Sequence, residues 1–198
     1  VPVPVPAPTT TKRRRRTSTT RTERGGGAFP VALALGGNIS GNISGNLGPV
    51  EQILGRALRQ LEASLGPLRI ASLYRSAPVS PVGQPDFLNT AAVAHTTLGP
   101  EAVLALAKAL ERAAGRRRGV RFGPRPLDID LLLYGDRQSA APELTLPHPR
   151  LRERRFMLEP LAEIAPGWPV PPDGVPVQEL LSRLGDAPLK RMGWDPLA

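Results

Sequence analysis

An α+β fold is predicted for this chain, and three observations predict it. Short apolar runs that read as strands are interleaved with two amphipathic helical stretches, their order is strand, helix, strand, strand, helix, strand, and glycine or proline punctuates the junctions. That order is the split βαβ plan of the ferredoxin-like βαββαβ sandwich: an antiparallel sheet with both helices on one sheet face, here followed by a C-terminal extension. The other face of the sheet is then open for a site. The chain has 198 residues, enough for one sizeable core, and 40% of them are apolar.

The first strand is the apolar run from Ala28 to Leu35, which leads into Gly36-Gly37-Asn38. The loop beyond it carries a small internal repeat, Gly37-Asn38-Ile39-Ser40 followed by Gly41-Asn42-Ile43-Ser44 and Gly45-Asn46, a duplication that residues tolerant of left-handed backbone accommodate. Val50, Ile53, Leu54, Ala57, Leu58, Leu61 and Leu65 then recur at helical spacing until Gly66-Pro67 stops them. Leu68 to Tyr74 alternates as the second strand, Ser76 to Pro85 is a proline-stiffened loop, and Phe87 to Thr96 is the third strand. Pro100 to Ala114 forms the second helix, ended by Gly115. The fourth strand begins at Pro126 and ends before the turn Gly135-Asp136. Beyond it, residues 144–149 are extended, Arg150 to Glu163 contains a short helix, Pro166 to Pro176 is a proline-rich connection and Val177 to Arg183 forms another helix.

Residues 1–28 are set apart from residues 29–198 by composition. A Val-Pro alternation, a Thr/Ser/Arg stretch and Gly25-Gly26-Gly27 offer little to bury, so this segment is predicted to be a disordered basic tail. It holds seven basic residues and one acid, which leaves only +3 of the net +9 to the domain. The run from Lys12 to Arg16 suits a localisation signal, a nucleic-acid arm, a targeting peptide or a merely solvated extension. A mildly basic domain is explained as well by an anionic nucleotide as by DNA or RNA, and no nucleic-acid partner is expected for it. The absence of cysteine excludes disulfides and thiolate metal sites and fits a cytoplasmic protein. No apolar run reaches membrane-spanning length, and a monomer without membrane association is expected.

The chemistry concentrates in Gly123-Pro124-Arg125-Pro126-Leu127-Asp128-Ile129-Asp130. Alternation along a strand puts Asp128 and Asp130 on one face and Leu127, Ile129 and Leu131 on the other. Two carboxylates that share a surface repel unless a cation lies between them, and beside phosphates the hard, oxygen-preferring cation is magnesium. Arg112, Arg116, Arg117, Arg118, Arg121 and Arg125 precede the pair, and guanidinium forks match phosphate oxygens. Together these residues point to magnesium-assisted phosphoryl-group transfer, with a solvated Asp-x-Asp strand face and a solvated arginine loop as the plain alternatives.

Several ordered blocks carry a family resemblance. They are Gly123-Pro124-Arg125-x-Leu127-Asp128-Ile129-Asp130, then Pro147-His148-Pro149-Arg150 with Arg154, Phe156 and Pro160 to Pro166, supported by Tyr74 to Val79 and Gln84-Pro85-Asp86-Phe87-Leu88-Asn89. Over about residues 29–194 the chain resembles the 6-hydroxymethyl-7,8-dihydropterin pyrophosphokinases. The resemblance implies an ATP-dependent diphosphokinase of folate biosynthesis, in which Asp128 and Asp130 hold two magnesium ions and act in catalysis with Arg116 and Arg125. It implies ATP contacts from Lys108, Arg116, Arg118, Arg121, Arg125, Leu131, Thr145, His148 and Arg154. It implies a pterin slot of Ser76, Ala77, Val79, Phe87, Asn89, Phe122 and Phe156, with Phe122 and Phe156 sandwiching the ring. In this family a single Gly-Ser-Asn is usual where Gly36-Gly37-Asn38 opens the repeat, so Asn38 and Asn46 are both candidates for its asparagine. Phe122 stands where tryptophan is common, Lys108 where glutamine is frequent and Pro149 where tyrosine is frequent.

Two other readings stand beside this one. Ferredoxin-like sheets also bind RNA, but they do so with paired sheet aromatics in a recognisable motif, and here acids occupy the fourth strand. A different magnesium-dependent nucleotidyl- or phosphotransferase using the Asp pair would bind ATP without pterin selectivity.

Overall fold

Seven consecutive buried residues, Val31 to Gly37, make the first strand, β1 (Phe29–Gly37), the kind that has neighbours on both edges and packing on both faces. The computed structural model describes residues 27–38, 49–78, 83–115, 124–185 and 189–196. The expectations for the tail, the Gly-Asn-Ile-Ser repeat, Val79, Arg116, Arg118, Arg121 and Phe122 lie outside the described residues. Helix α1 (Val50–Leu65) buries the seven apolar positions that its spacing singles out, and it ends at Gly66, whose φ of +94° is a conformation glycine adopts without strain.

The stretch expected as one second strand is two, β2 (Arg69–Ile70) and β3 (Leu73–Ser76). The break coincides with a long-range contact: the N–H and Oγ of Ser72 donate to the Glu163 carboxylate at 2.9 and 2.8 Å. Strand β4 (Phe87–Thr96), helix α2 (Pro100–Ala113) and strand β5 (Asp128–Tyr134) follow as expected. Next come a hairpin of β6 (Ser139–Ala141) and β7 (Leu144–Leu146), a 3-10 turn at Leu151–Glu153 and helix α3 (Arg155–Ile164). A second small hairpin, β8 (Pro169–Val170) with β9 (Val175–Pro176), occupies the proline-rich connection; helix α4 (Val177–Ser182) and strand β10 (Leu189–Met192) complete the described chain.

The main sheet runs β10-β3-β4-β1-β5, with β2 also paired to β4 and every pairing antiparallel. Helices α1 and α2 cover one face, packing on Leu33, Leu35, Ala92, Ile129 and Leu131. Both helices of the βαββαβ unit thus share a face as expected, but the opposite face is not wholly open, which corrects the expectation of a free face. There α3 and α4 bury Ala32, Ala34, Ala91 and Val93, because the C-terminal extension carries its own apolar stripe of Met157, Leu158, Leu161, Val177 and Leu180. A site on that face is confined to the part those helices leave uncovered.

One irregularity matters for that site. The β1–β5 register shifts between Ala32, opposite Leu133, and Leu33, opposite Leu131, so Leu132 is the extra residue of a β-bulge. Asp128 to Leu131 alternate strictly, whereas Leu132 and Leu133 both join the α3/α4 core and Tyr134 returns to the α1/α2 core. Among the described residues no helix is long and apolar enough to cross a membrane.

Candidate active site

The pairing Tyr74–Asn89, Asn89–Gly36 and Gly36–Asp128 lays one row of residues across four strands. Residues opposite one another in a sheet project to the same side, so Asn89 and Asp128 rise from the same floor with a glycine between them. Above this floor lies a cavity of about 870 Å³ whose wall includes Gly36, Asn89, Asp128 and Asp130. The two acids therefore share a face and a cavity, and Leu127, Ile129 and Leu131 sit in the core behind them. A Cβ on Gly36 would come within 2.9 Å of Asn89 Oδ1. Asn89, only 6% exposed, donates from Nδ2 to Ser76 Oγ at 2.9 Å, which fixes the amide plane at the cavity wall. Ala77, Phe87 and Phe156 extend that wall.

Arg125 is held from two directions. Its N–H donates to Asn38 Oδ1 at 2.9 Å and its carbonyl accepts the Asn38 N–H at 3.0 Å, while its Nη1 lies 2.5 Å from Asp128 Oδ2. Asn38, 4% exposed, also donates from Nδ2 to Gln84 Oε1 (3.0 Å) and the Pro85 carbonyl (3.2 Å). One buried amide thus ties the end of β1 to the loop before β4 and to the loop before β5. Of the two asparagines left open by the repeat, Asn38 has this role; Asn46 lies outside the described residues.

The bulge positions the histidine. The carbonyl of Leu132 accepts the N–H of His148 at 2.9 Å, and this sets His148 Nε2 3.9 Å from Asp130 Oδ2. Burial lowers the His148 pKa to about 4, with the charges of Arg154 and Arg150 acting in the same direction, so the ring is neutral near pH 7. Because Nδ1 accepts the N–H of Arg150 at 3.2 Å, the proton of the neutral ring sits on Nε2, facing Asp130. Arg154 lies with its guanidinium carbon 5.3 Å from the Phe156 ring centre. Burial and the neighbouring Arg150 lower the pKa of Arg154, and Asp130 and Asp128 oppose them. Arg125, Arg150 and Arg154 all line the cavity, a concentration of cations that an anionic ligand would relieve.

The structure thus gathers Ser76, Ala77, Phe87, Asn89, Arg125, Asp128, Asp130, Arg154 and Phe156 around one cavity, with His148 against Asp130. Besides His148, three expected ATP contacts lie apart from the cavity wall. Leu131 is buried in the α1/α2 core, so its side chain is turned away and only its backbone, on the edge strand β5, is left to meet a ligand. Lys108 donates from Nζ to Glu111 and to the Ile129 carbonyl on the outer side of β5. Thr145 donates its hydroxyl to the Ala141 carbonyl within the β6–β7 hairpin. Arg150, Gln84 and Leu189 line the cavity although none was singled out. Arg150 and Gln84 stand inside the blocks that carry the family resemblance and could have been named from them; Leu189, on a four-residue strand with no apolar alternation, gave no such signal.

Two carboxylates on one strand face, open to a cavity ringed with guanidinium groups, are a donor set that fits magnesium. That ion takes one or two carboxylates and completes its shell with water and phosphate oxygens. Among the described residues no group of three or more His, Cys, Asp or Glu side chains is placed to hold a metal by protein ligands alone.

Comparison with known proteins agrees with this chemistry. The family model for 7,8-dihydro-6-hydroxymethylpterin-pyrophosphokinase (HPPK) matches residues 32–166. The chain is 40% identical over 154 residues to a 2-amino-4-hydroxy-6-hydroxymethyldihydropteridine pyrophosphokinase of Synechocystis, covering 77% of this chain and 74% of the relative. It is 39% identical over 155 residues to the protein of the same name from Pseudomonas aeruginosa, covering 77% and 90%. A mitochondrial folate synthesis bifunctional protein of Arabidopsis thaliana is 47% identical over 96 residues, which are 48% of this chain and 17% of that protein. Among solved structures, wild-type HPPK-DHPS of Plasmodium falciparum with pteroate superposes with a TM-score of 0.59 at 15% identity, over 79% of this chain and 42% of that one. That likeness concerns the fold, and the chain spans less than half of the longer protein.

Proposed function

Because the chain belongs to the 7,8-dihydro-6-hydroxymethylpterin-pyrophosphokinase family, we propose that the cavity over Gly36 is where its reaction takes place. The enzyme transfers pyrophosphate from ATP to the hydroxymethyl group of 6-hydroxymethyl-7,8-dihydropterin in folate biosynthesis, giving the pterin diphosphate and AMP.

The observation that carries the assignment of the site is the shared row of Asn89 and Asp128. In our reading Asn89, oriented by Ser76, pairs with the edge of the pterin ring, and Phe156 and Phe87 supply its apolar contacts. The resemblance assigns Val79 and Phe122 to the same slot; both lie outside the described residues. The hydroxymethyl arm then points along the row toward Asp128. Asp128 and Asp130 are the residues that would hold magnesium, two ions in the full reading, whose charge would offset that of the phosphates. Arg125 and Arg154, with Arg116, Arg118 and Arg121, grip the triphosphate, while His148, Thr145, Lys108 and the Leu131 backbone lie on the nucleotide side. The hydroxymethyl oxygen attacks the β-phosphorus in line, the bond to the α–β bridging oxygen breaks, and AMP leaves with that oxygen. The arginines stabilise the negative charge that grows there, and alignment of the two substrates in the cavity supplies much of the rest. Asp128, beside the acceptor, orients its hydroxyl and takes the proton released as the oxygen attacks.

The strand order and the βαββαβ succession support a ferredoxin-like core, and residues 29–198 form the catalytic domain in this reading. The cysteine-free composition suits a cytoplasmic setting. Titration calorimetry tests the assignment, using a nonhydrolysable ATP analogue with magnesium, with and without a hydroxymethylpterin. Saturable binding of both ligands to the wild-type chain, with the pterin lost in Asn89→Ala and the nucleotide retained, is the expected result. Binding of the nucleotide without any pterin would instead favour a different magnesium-dependent phosphotransferase.

A further inference from the structure

Glu111 is the one charged side chain among the described residues that is almost wholly buried, at 3% exposure, and the reaction as drawn gives it no part. It lies on α2, three residues after Lys108. Its Oε1 accepts the N–H of Ile129 at 2.8 Å and a proton of Lys108 Nζ at 2.8 Å, while Lys108 Nζ also lies 3.5 Å from the Ile129 carbonyl. Ile129 is the residue between Asp128 and Asp130.

The position of β5 makes this contact informative. It is the last strand of the sheet, so among the described residues no strand pairs with its backbone on the side away from β1. At Ile129 a carboxylate and an ammonium stand in for such a strand, one taking the amide and the other approaching the carbonyl. Burying a carboxylate costs free energy unless hydrogen bonds and an opposite charge compensate it, and an apolar residue of similar size would fill the same space more cheaply. The groups so held are the two peptide groups that join Asp128 to Asp130, and their orientation determines where both carboxylates point. A tilt of either would change their separation at the cavity.

We infer that Glu111, seconded by Lys108, is a positioning residue that locks the Ile129 backbone and thereby sets the spacing of the Asp128 and Asp130 carboxylates for the cation they hold. This rests on the reading of those two acids as the magnesium pair. Residues that orient metal ligands without touching the metal are typically worth about 10- to 100-fold in affinity or activity.

Two variants of the full chain separate reach from charge. Glu111→Gln keeps an acceptor oxygen at the same distance from Ile129, and Glu111→Asp keeps the charge but withdraws it by one methylene. We expect Glu111→Asp to speed amide exchange at Ile129, to raise the magnesium concentration for half-maximal binding of a nonhydrolysable ATP analogue by about 10-fold or more, and to leave the pterin KM within about 2-fold. Glu111→Gln should stay within about 3-fold of wild type in all three. A Glu111→Asp protein with wild-type magnesium dependence overturns the inference, as does a Glu111→Gln protein impaired as severely as Glu111→Asp. Asp130→Asn tests the underlying reading by itself: if that variant binds magnesium and nucleotide normally, the metal assignment fails whatever the Glu111 variants do.

Discussion

Asn89 and Asp128 stand on one row of the sheet with only Gly36 between them, two strand spacings or about 10 Å apart. A side chain that reads a ring edge and a side chain suited to a metal are thereby held at a separation that a flat bicyclic ring with a one-carbon arm can bridge. Gly36→Ala would set a methyl group 2.9 Å from Asn89 Oδ1 and push the amide off Ser76. Losing one such hydrogen bond, about 1–1.5 kcal/mol, should raise the pterin KM by about 10-fold while the affinity for a nucleotide analogue changes little. An unchanged pterin KM would show that Gly36 is not needed to keep Asn89 in place.

Asp130→Ala should remove turnover without unfolding the chain. The side chain is partly exposed at the cavity and supports no core packing, whereas loss of a metal ligand forfeits several kcal/mol of transition-state stabilisation, about a thousandfold or more in kcat. Circular dichroism and steady-state kinetics on the same preparation check both halves, and near-normal activity would refute the metal assignment.

Arg150 lines the cavity and presses electrostatically on both His148 and Arg154. Arg150→Ala should weaken ATP binding by roughly 3- to 10-fold, an effect that shrinks as salt is raised, and should leave pterin binding intact. A weaker dependence of the ATP KM on ionic strength than in wild type is the signature to measure.

Asn38→Ala should destabilise the fold by about 1–3 kcal/mol, because it removes the acceptor from the partly buried amide of Arg125 and unties the loop at Gln84 and Pro85. The urea midpoint should fall together with kcat, since Arg125 loses its backbone support.

Glu163 gives the stability a pH dependence. Burial pushes its carboxyl up, but hydrogen bonds from Ser72 and Tyr74, and the charge of Arg191, outweigh burial and hold it below its ordinary value of 4.5. A lowered carboxyl contributes stability that is complete above the ordinary value and is lost as pH falls through the folded one. Tyr74, raised by burial and by Glu163 from 10.0 to about 12, contributes stability that is complete below pH 10.0 and is lost as pH rises through about 12. Thermal melts of wild type and Glu163→Gln should therefore converge as the solution is acidified below about pH 4.

What was legible in the sequence is what short-range periodicity encodes. The stripe from Val50 to Leu65 and the run from Phe87 to Thr96 were read with almost their observed bounds, and the alternation Asp128-Ile129-Asp130-Leu131 placed both acids on one face. What was missed depends on distant partners. The interruption at Ser72 coincides with its contact to Glu163, 91 residues later; β10 forms because β3 offers it an edge; and α3 and α4 cover a sheet face whose accessibility no local pattern reports. The same holds for Glu111, an ordinary polar residue in the sequence that becomes significant only through the amide of Ile129, and for the bonds that tie Asn38 to Arg125, although the resemblance makes Asn38 a candidate.

The extra residue at Leu132 works as a phase change within a single strand. Upstream of it, side-chain direction is dictated by the two acids; downstream, by the need to seat Leu133 and Tyr134 in opposite cores. Because the offset absorbs the conflict, the anchoring half of the strand can vary in size and shape without rotating the chemical half, and the carbonyl freed there becomes the peg on which His148 hangs.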